Sequence, residues 1–381
     1  MDWRIPLADI DFGQEEEEAV TAVLRSRWLT MGEVTRQFET EFAEYTGAGQ
    51  AIAVTNCTAA LHMAVLALDL GPGDEVILPS LTFVATASAV RYTGATPVFA
   101  DITSHQDFGI SVADIEAKIT ANTKAIIVVH YGGYACDMPA IMSLAAAHNL
   151  AVIEDAAHAP GATLEERSLG TWGHIGCFSF FSNKNLAIGE GGMLTTQNEE
   201  LAQRLRLLRS HGMTSLTWDR HKGHAWSYDV IDLGYNYRID EMRAAIGRAQ
   251  LKKLTTNNQI RQALTRLYKG LLVEQVPEIS VPYLQYRGAS ACHIQPILLP
   301  VKVNRKKFMD AMKDRRIQTS IHYPPVHQFT AYHSRDQVDM ASLPLTEEIS
   351  LREVTLPLYP TLPAADVEMV VTAVREALDE I

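Results

Sequence analysis

"FSFFSNKNLAIGEGGM", residues 178–193, sets Lys184 between an aromatic, strand-like run and a cluster of glycines. Lysine ordinarily belongs on a solvated surface, because burying its charge is costly. A long cation where strand gives way to glycine is therefore either a plain surface residue or the reactive amine of a site. Gly189, Gly191 and Gly192, which lack a Cβ, would let backbone pass close to a ligand there.

The flanking pattern decides the fold class. From residue 50, short apolar runs alternate with helix-length segments: "AIAV" from 51, a helix over about 58–69, "EVILP" from 75, a helix after 83 and "TPVFA" from 96. A helix near 111–119, "AIIVV" from 125, a helix near 137–148 and "LAVIED" from 150 follow. Continuous apolar strands separated by helices mean an α/β fold, with a mainly parallel sheet covered on both faces. Ligands bind such sheets at the carboxyl ends of the strands. Two amphipathic helices precede the sheet, in "QEEEEAVTAVLRS" and "EVTRQFETEFAEYT", and form an N-terminal helical segment over 1–48. Helices over about 198–211 and 239–254 close the region. Beyond 255 the reading is a strand in "ACHIQPILLP", a helix in "RKKFMDAMKDR", a strand in "IQTSIHYP" and a last helix over about 364–379. The spacing predicts a large domain over 1–254 and a smaller α+β domain over 255–381.

Bulk properties narrow the function classes. A chain of 381 residues with 47% apolar and 20% charged residues has ample material for one large core. The excess of 45 acidic over 33 basic residues, a net −12, argues against a dedicated nucleic-acid surface, so any anion must be held by local donors. The start, "MDWRIPLADIDFGQEEEEAV", has no basic stretch leading into an apolar core, and no run reaches the roughly 18 apolar residues of a membrane helix. Cys57, Cys136, Cys177 and Cys292 are scattered without CxxC, which argues against disulfides and a zinc site. A cytoplasmic protein without a metal is the expectation.

Several segments then ask for the same ligand. In "AVIEDAAHAPGA" Asp155 stands at a strand end and His158 follows; a helical turn there would put both on one face, with a helix cap as the plain alternative. Asn56 and Thr58 open an apolar helix whose free N–H groups suit an anion, or serve only as a cap. Phe83 follows another strand and either stacks on a flat ligand or joins the core. Asn236 and Arg238, in "LGYNYRIDEMRAA", reach an anion or shape a turn. Together these describe a flat ring with a basic nitrogen, a phosphate and a carbonyl open to an amine: pyridoxal 5′-phosphate.

On these residues the chain resembles the sugar-nucleotide aminotransferases, fold-type-I pyridoxal phosphate enzymes of the aspartate aminotransferase superfamily. The resemblance runs from "SRWLTMG" through "TNCTAALHMA", "PGDEVILPSLTFVATA", "VVHYGGYACDM", "VIEDAAHAPGA", the Lys184 segment and "GYNYRIDEMRAA" to "LPLYPTL". It implies a mainly parallel seven-stranded sheet in the large domain. By the resemblance Lys184 carries the cofactor as a Schiff base and shuttles protons, Asp155 pairs with the pyridine nitrogen, and His158 lies near the phenolic oxygen. Thr58, Ala59 and Ser179 match phosphate binders, and Phe83 matches the stacking aromatic. Asn236 matches a residue that reaches the neighbouring subunit's cofactor, which implies a homodimer with shared active sites.

The implied reaction moves an amino group from an amino acid, L-glutamate by expectation, to a keto-sugar linked to a nucleotide diphosphate. Its setting would be amino-sugar biosynthesis, for a surface polysaccharide such as lipopolysaccharide or a glycosylated natural product. Arg238 is a candidate for holding a carboxylate or diphosphate; His322, Tyr323 and His327 in "IHYPPVHQF" are candidate substrate contacts. The chain departs from the common pattern at Cys57 and at Phe181-Ser182-Asn183. A dehydratase branch carries histidine in place of the lysine, so Lys184 favours transamination over that alternative. A non-catalytic cofactor-binding regulator is a second alternative. A nicotinamide fold is disfavoured, since "TNCTAAL" after the first strand has no glycine.

Overall fold

The computed structural model describes residues 3–214, 223, 227–333 and 342–381. Seven strands form the central sheet: β1 (Gln50–Val54), β2 (Glu75–Pro79), β3 (Thr96–Ala100), β4 (Thr123–Val129), β5 (Ala151–Asp155), β6 (Ile175–Ser179) and β7 (Gly192–Thr196). Their spatial order is β1-β7-β6-β5-β4-β2-β3. The strands from β6 to β3 are parallel, and β7 runs antiparallel to both neighbours, with Ile52 opposite Leu194 and Cys177 opposite Leu194. Ile126, Ile127 and Val128 at the centre of β4 are wholly buried, and each such side chain contributes about 1.5–3 kcal/mol.

Helices α1 (Gln14–Ser26) and α2 (Glu33–Thr46) precede the sheet, and α3 (Cys57–Ala67), α4 (Ala85–Tyr92), α5 (Val112–Ala117), α6 (Met138–His148) and α7 (Glu199–Arg209) connect or follow its strands. The low amphipathicity of α3 follows from its burial on nearly every side: Ala60, Leu61, Met63, Ala64 and Val65 are all closed off from solvent. Then comes α8 (Glu241–Gln275), a helix of 35 residues. Glu241 at its start accepts the N–H groups of Gly32, Val34 and Thr35 at 2.8, 2.8 and 2.9 Å, and so caps α2.

Two features differ from the sequence reading. The helix expected to end near 254 continues to Gln275, through the position where the two-domain division was drawn. Tertiary partners satisfy the polar run "TTNNQIRQ" that follows 254: Asn258 Nδ2 donates to Pro160 O at 2.9 Å and Arg261 to Leu358 O at 2.8 Å. Leu264, Tyr268 and Leu272 then carry the helix into a second hydrophobic cluster. That cluster also holds Ile5, β8 (Gln295–Leu298), α9 (Arg305–Asp314), β9 (Glu353–Leu356) and α11 (Ala364–Asp379), the last preceded by α10 (Pro344–Arg352).

"IQTSIHYP" is not a strand. Its backbone divides between two neighbours, pairing at Ile317 with Ile5 and at Ser320 with Thr355, while the His322 N–H goes to a side chain, Glu353 Oε2, at 2.7 Å. The strand that pairs with β8 is β9. One of the glycines after Lys184, Gly192, is required by the fold itself. A Cβ on Gly192 would lie 2.6 Å from the carbonyl carbon of Asn56, so its bareness lets β7 pass the start of α3.

Candidate active site

The carboxyl ends of β2, β5 and β6 and the start of α3 surround a cavity of about 460 Å³. Lys184 lies in the loop after β6, with its N–H bonded to Phe181 O at 2.9 Å, and its side chain reaches the cavity part-buried. Burial pushes the amine down to about 8, against the opposing influence of Cys57 and Asp155. An appreciable neutral fraction therefore exists near neutrality, which a nucleophilic or basic amine requires.

Asp155 ends β5, is 5% exposed and lines the same cavity. Its Oδ2 accepts Thr86 Oγ1 at 2.8 Å and its Oδ1 accepts Ala157 N at 3.2 Å. Burial raises its carboxyl above the ordinary range, and Thr86, Ala157 and Lys184 pull it back. His158 also faces the cavity, although residues 156–161 form turns and not a helix. Its Nδ1 accepts Gly132 N–H at 3.2 Å, so the ring proton belongs on Nε2, 3.0 Å from Tyr323 Oη. Burial, Lys184 and His322 hold His158 well below its ordinary pKa, so it is neutral.

Thr58 lines the cavity in the first turn of α3. Asn56 is the helix cap: its Oδ1 accepts Ala59 N–H at 2.9 Å, which occupies the backbone donor of Ala59. Ser179, at the end of β6, lines the cavity with 7% exposure. Phe83 also lines it and is 58% exposed, its ring 6.0 Å from that of Tyr323. His322 and Tyr323 complete the wall. Burial and Lys184 push His322 down to about 3, and burial raises Tyr323. The His322 Nδ1 bonds Thr355 Oγ1 at 2.8 Å, while Tyr131 Oη donates to its carbonyl.

Four expected residues lie outside the cavity wall in this chain, the first being Ala59, which is 5% exposed with its N–H held by Asn56. Asn236 is exposed and outside the cavity wall, its backbone bridged to Ser210. Arg238 is half-buried beside Arg209, outside the wall, and burial lowers its pKa. His327 bonds Ser80 Oγ at 2.6 Å and pairs with Glu347 at 3.4 Å. Conversely, His293 escaped the sequence reading. It is 5% exposed and its Nε2 lies 3.4 Å from Lys184 Nζ. A histidine inside an apolar strand-like run, "ACHIQPILLP", was the available signal.

The residues suit pyridoxal phosphate. An amine with a lowered pKa, a buried carboxylate, an exposed aromatic face and the polar start of a mainly apolar helix open on one space of suitable volume. Among the described residues no group of His, Cys, Asp or Glu is placed to hold a metal, and no helix is long and apolar enough to cross a membrane.

Comparison with known proteins agrees with this chemistry. Residues 11–375 match the DegT/DnrJ/EryC1/StrS aminotransferase family. The chain is 42% identical over 369 residues to "Spore coat polysaccharide biosynthesis protein SpsC" of Bacillus subtilis (strain 168), covering 96% of this chain and 94% of that protein. Among solved structures, Helicobacter pylori PseC, "aminotransferase involved in the biosynthesis of pseudoaminic acid", superposes with a TM-score of 0.92 at 27% identity, covering 99% of this chain and all (100%) of the other. Spr1654 from Streptococcus pneumoniae in its PLP form superposes with a TM-score of 0.90 at 26% identity, covering 99% of each chain. The chain therefore belongs to the DegT/DnrJ/EryC1/StrS aminotransferase family and is a pyridoxal phosphate-dependent aminotransferase of fold type I.

Proposed function

We propose that the protein transfers an amino group from an amino acid, L-glutamate, to a keto-sugar carried on a nucleotide diphosphate, in amino-sugar biosynthesis in the cytoplasm. The observation that carries the reading is the convergence of the Lys184 amine and the Asp155 carboxylate on one cavity. The sugar is supported by the similarity to PseC and SpsC, whose names place them in pseudoaminic acid and polysaccharide biosynthesis.

Pyridoxal phosphate, when bound, supplies an aldehyde that links to amines and a ring that draws off the electron pair left when an amino acid loses its α-proton. The chain's own residues do the rest. Lys184 would hold the cofactor through its Nζ, and as a free amine it would take the proton from the amino acid's Cα as a base and deliver it to the cofactor as an acid. Asp155 supplies the negative charge that keeps the ring nitrogen protonated, and Thr86 and Ala157 hold that carboxylate in place. Thr58 and Ser179 offer hydroxyl donors to the phosphate, and Phe83 gives a flat apolar face. His158, on the same wall, would be a further contact for the cofactor ring. His322 and Tyr323 contact the substrate, with Arg238 and His327 as further candidates.

The working unit is a homodimer with shared sites. Phe83, Phe181, Tyr92, Ile231 and Leu233 are large apolar side chains left 44–88% exposed, which a second copy would cover. Asn236 stands on the same exposed segment, free to reach the partner's cofactor.

The test is borohydride reduction of the cofactor-loaded protein followed by peptide mass spectrometry. Mass added at Lys184, and its absence in Lys184→Ala, is expected; a tag on another residue refutes the assignment. Bleaching of the visible absorbance by L-glutamate, and its return with nucleotide-linked 3-keto or 4-keto sugars, then tests donor and acceptor. Deoxygenation of the sugar without amine transfer would identify a dehydratase instead.

A further inference from the structure

The hydrogen bonds behind Lys184 have a direction, and carbonyl oxygens set it. Pro160 O accepts Asn258 Nδ2 at 2.9 Å, which turns Asn258 Oδ1 toward Asn185. Asn185 Nδ2 then donates to Asn258 Oδ1 at 2.8 Å and to Ala291 O at 2.7 Å. Both of these partners only accept, so the Asn185 amide has one orientation and its Oδ1 faces His293 Nδ1 at 3.0 Å. An amide oxygen cannot donate, so the His293 proton sits on Nδ1. The ring is deeply buried, with Lys184 and Arg261 close by, which excludes a second proton. Nε2 is left as a bare lone pair, and it points at Lys184 Nζ across 3.4 Å.

We propose that His293 is a positioning residue for the Lys184 amine: its Nε2 accepts one N–H of the amine whenever that amine is not linked to the cofactor, and so turns the amine's lone pair toward the cavity. The inference rests on the reading of Lys184 as the linking amine. It explains why a buried imidazole stands behind that lysine, and why three buried polar side chains, Asn185, Asn258 and His293, are spent in series on one acceptor. Burial of such a series is costly unless every member is satisfied, and among the described residues Lys184 is the partner placed to satisfy the last acceptor.

The experiment uses cofactor-free protein. Acetic anhydride labelling across pH, read peptide by peptide by mass spectrometry, gives the midpoint for deprotonation of the Lys184 amine. Asp155, Cys57, His158, His322, Tyr323 and Arg261 also face this region, and all are kept in each variant. A lone-pair acceptor favours the ammonium, so His293→Leu should lower the midpoint by about half to one pH unit, and His293→Gln, whose amide oxygen also accepts, should restore it. An unchanged midpoint in His293→Leu with native near-ultraviolet circular dichroism would overturn the proposal. If His293→Leu does not fold, a neutron structure of the cofactor-free native protein decides: deuterium on Nδ1 alone supports it, and deuterium on Nε2 overturns it. Borohydride tagging of native protein at Lys184 is read separately. A protein that tags there yet shows no midpoint shift refutes the role of His293 and leaves the lysine assignment standing.

Discussion

Thr86 Oγ1 donates to Asp155 Oδ2 at 2.8 Å, and this joins the first residues of α4 to the end of β5 beneath the cavity. Burial raises the Asp155 carboxyl and the Thr86 bond draws it down. Thr86→Val should therefore raise it further, so the carboxylate is protonated over more of the acidic range. The acid limb of the kcat profile is expected to move to higher pH, with about a tenfold loss at neutral pH, the scale of a hydrogen bond to a charged group. A pH–rate profile with an unmoved acid limb would show that Thr86 only packs.

Asp155→Asn separates charge from shape. Turnover should fall by about 10²–10³-fold, as when a preorganised electrostatic group is removed. The cofactor-free protein should become no less stable at neutral pH. The sign follows from linkage: the folded carboxyl has a pKa above its unfolded value of 3.8, so between the two values the folded state holds the extra proton and stability falls as pH rises. Asparagine has no such loss. Urea unfolding of cofactor-free protein at acid and neutral pH checks this, and a variant much weaker at neutral pH would contradict it.

The Lys184 amine, pushed to about 8 by burial, sets the pH dependence of cofactor loading. Only the neutral amine attacks a carbonyl, so the rate of incorporation into cofactor-free protein should climb with pH and level off above about 8. Stopped-flow absorbance at saturating pyridoxal phosphate measures it. A midpoint near 10.5, the ordinary lysine value, would mean that the amine is solvated.

Glu154, one residue before Asp155, is a stability element. Its carboxylate accepts Gly170 N and Gly173 N at 2.7 Å each and His130 Nε2 at 2.9 Å, with no exposure. Glutamine would turn an N–H toward one of these donors. Glu154→Gln should therefore cost about 2–4 kcal/mol in chemical denaturation, well above a surface substitution.

Asn236→Ala tests the shared site. The residue is exposed and away from its own chain's cavity, so a weakened hold on cofactor in this variant must act across a subunit boundary. Equilibrium dialysis should show about a fivefold to tenfold loss of cofactor affinity, the scale of one hydrogen bond to an anion. Mixed dimers of Asn236→Ala and Lys184→Ala chains should keep one intact site of two. Unchanged affinity would remove Asn236 from the site.

The parts of the fold legible from sequence were those with a strong local signature. The strands at 51, 75, 96, 125 and 150 are continuous apolar runs, and each occurs as a sheet strand. The last helix, expected over about 364–379, is Ala364–Asp379. Asp155, Thr58, Phe83 and Ser179 each stand where a strand ends or a helix begins, and all four line the cavity with Lys184. Local pattern misled where partners are distant. The polar run after 254 continues a helix because Pro160 and Leu358 satisfy it. The apolar residues near 317–323 divide between Ile5 and β9 and form no ladder.

From sequence alone came the alternation of strand and helix, the lysine and carboxylate at their strand ends, and the family to which those motifs belong, because periodicity and motif spacing are local properties of the chain. The tertiary structure alone decided that β7 runs antiparallel between β1 and β6, that α8 is 35 residues long, and that His293 stands behind Lys184 from 109 positions away. Those features depend on which groups satisfy a buried hydrogen bond across the fold, and no local spacing encodes the identity of a distant partner.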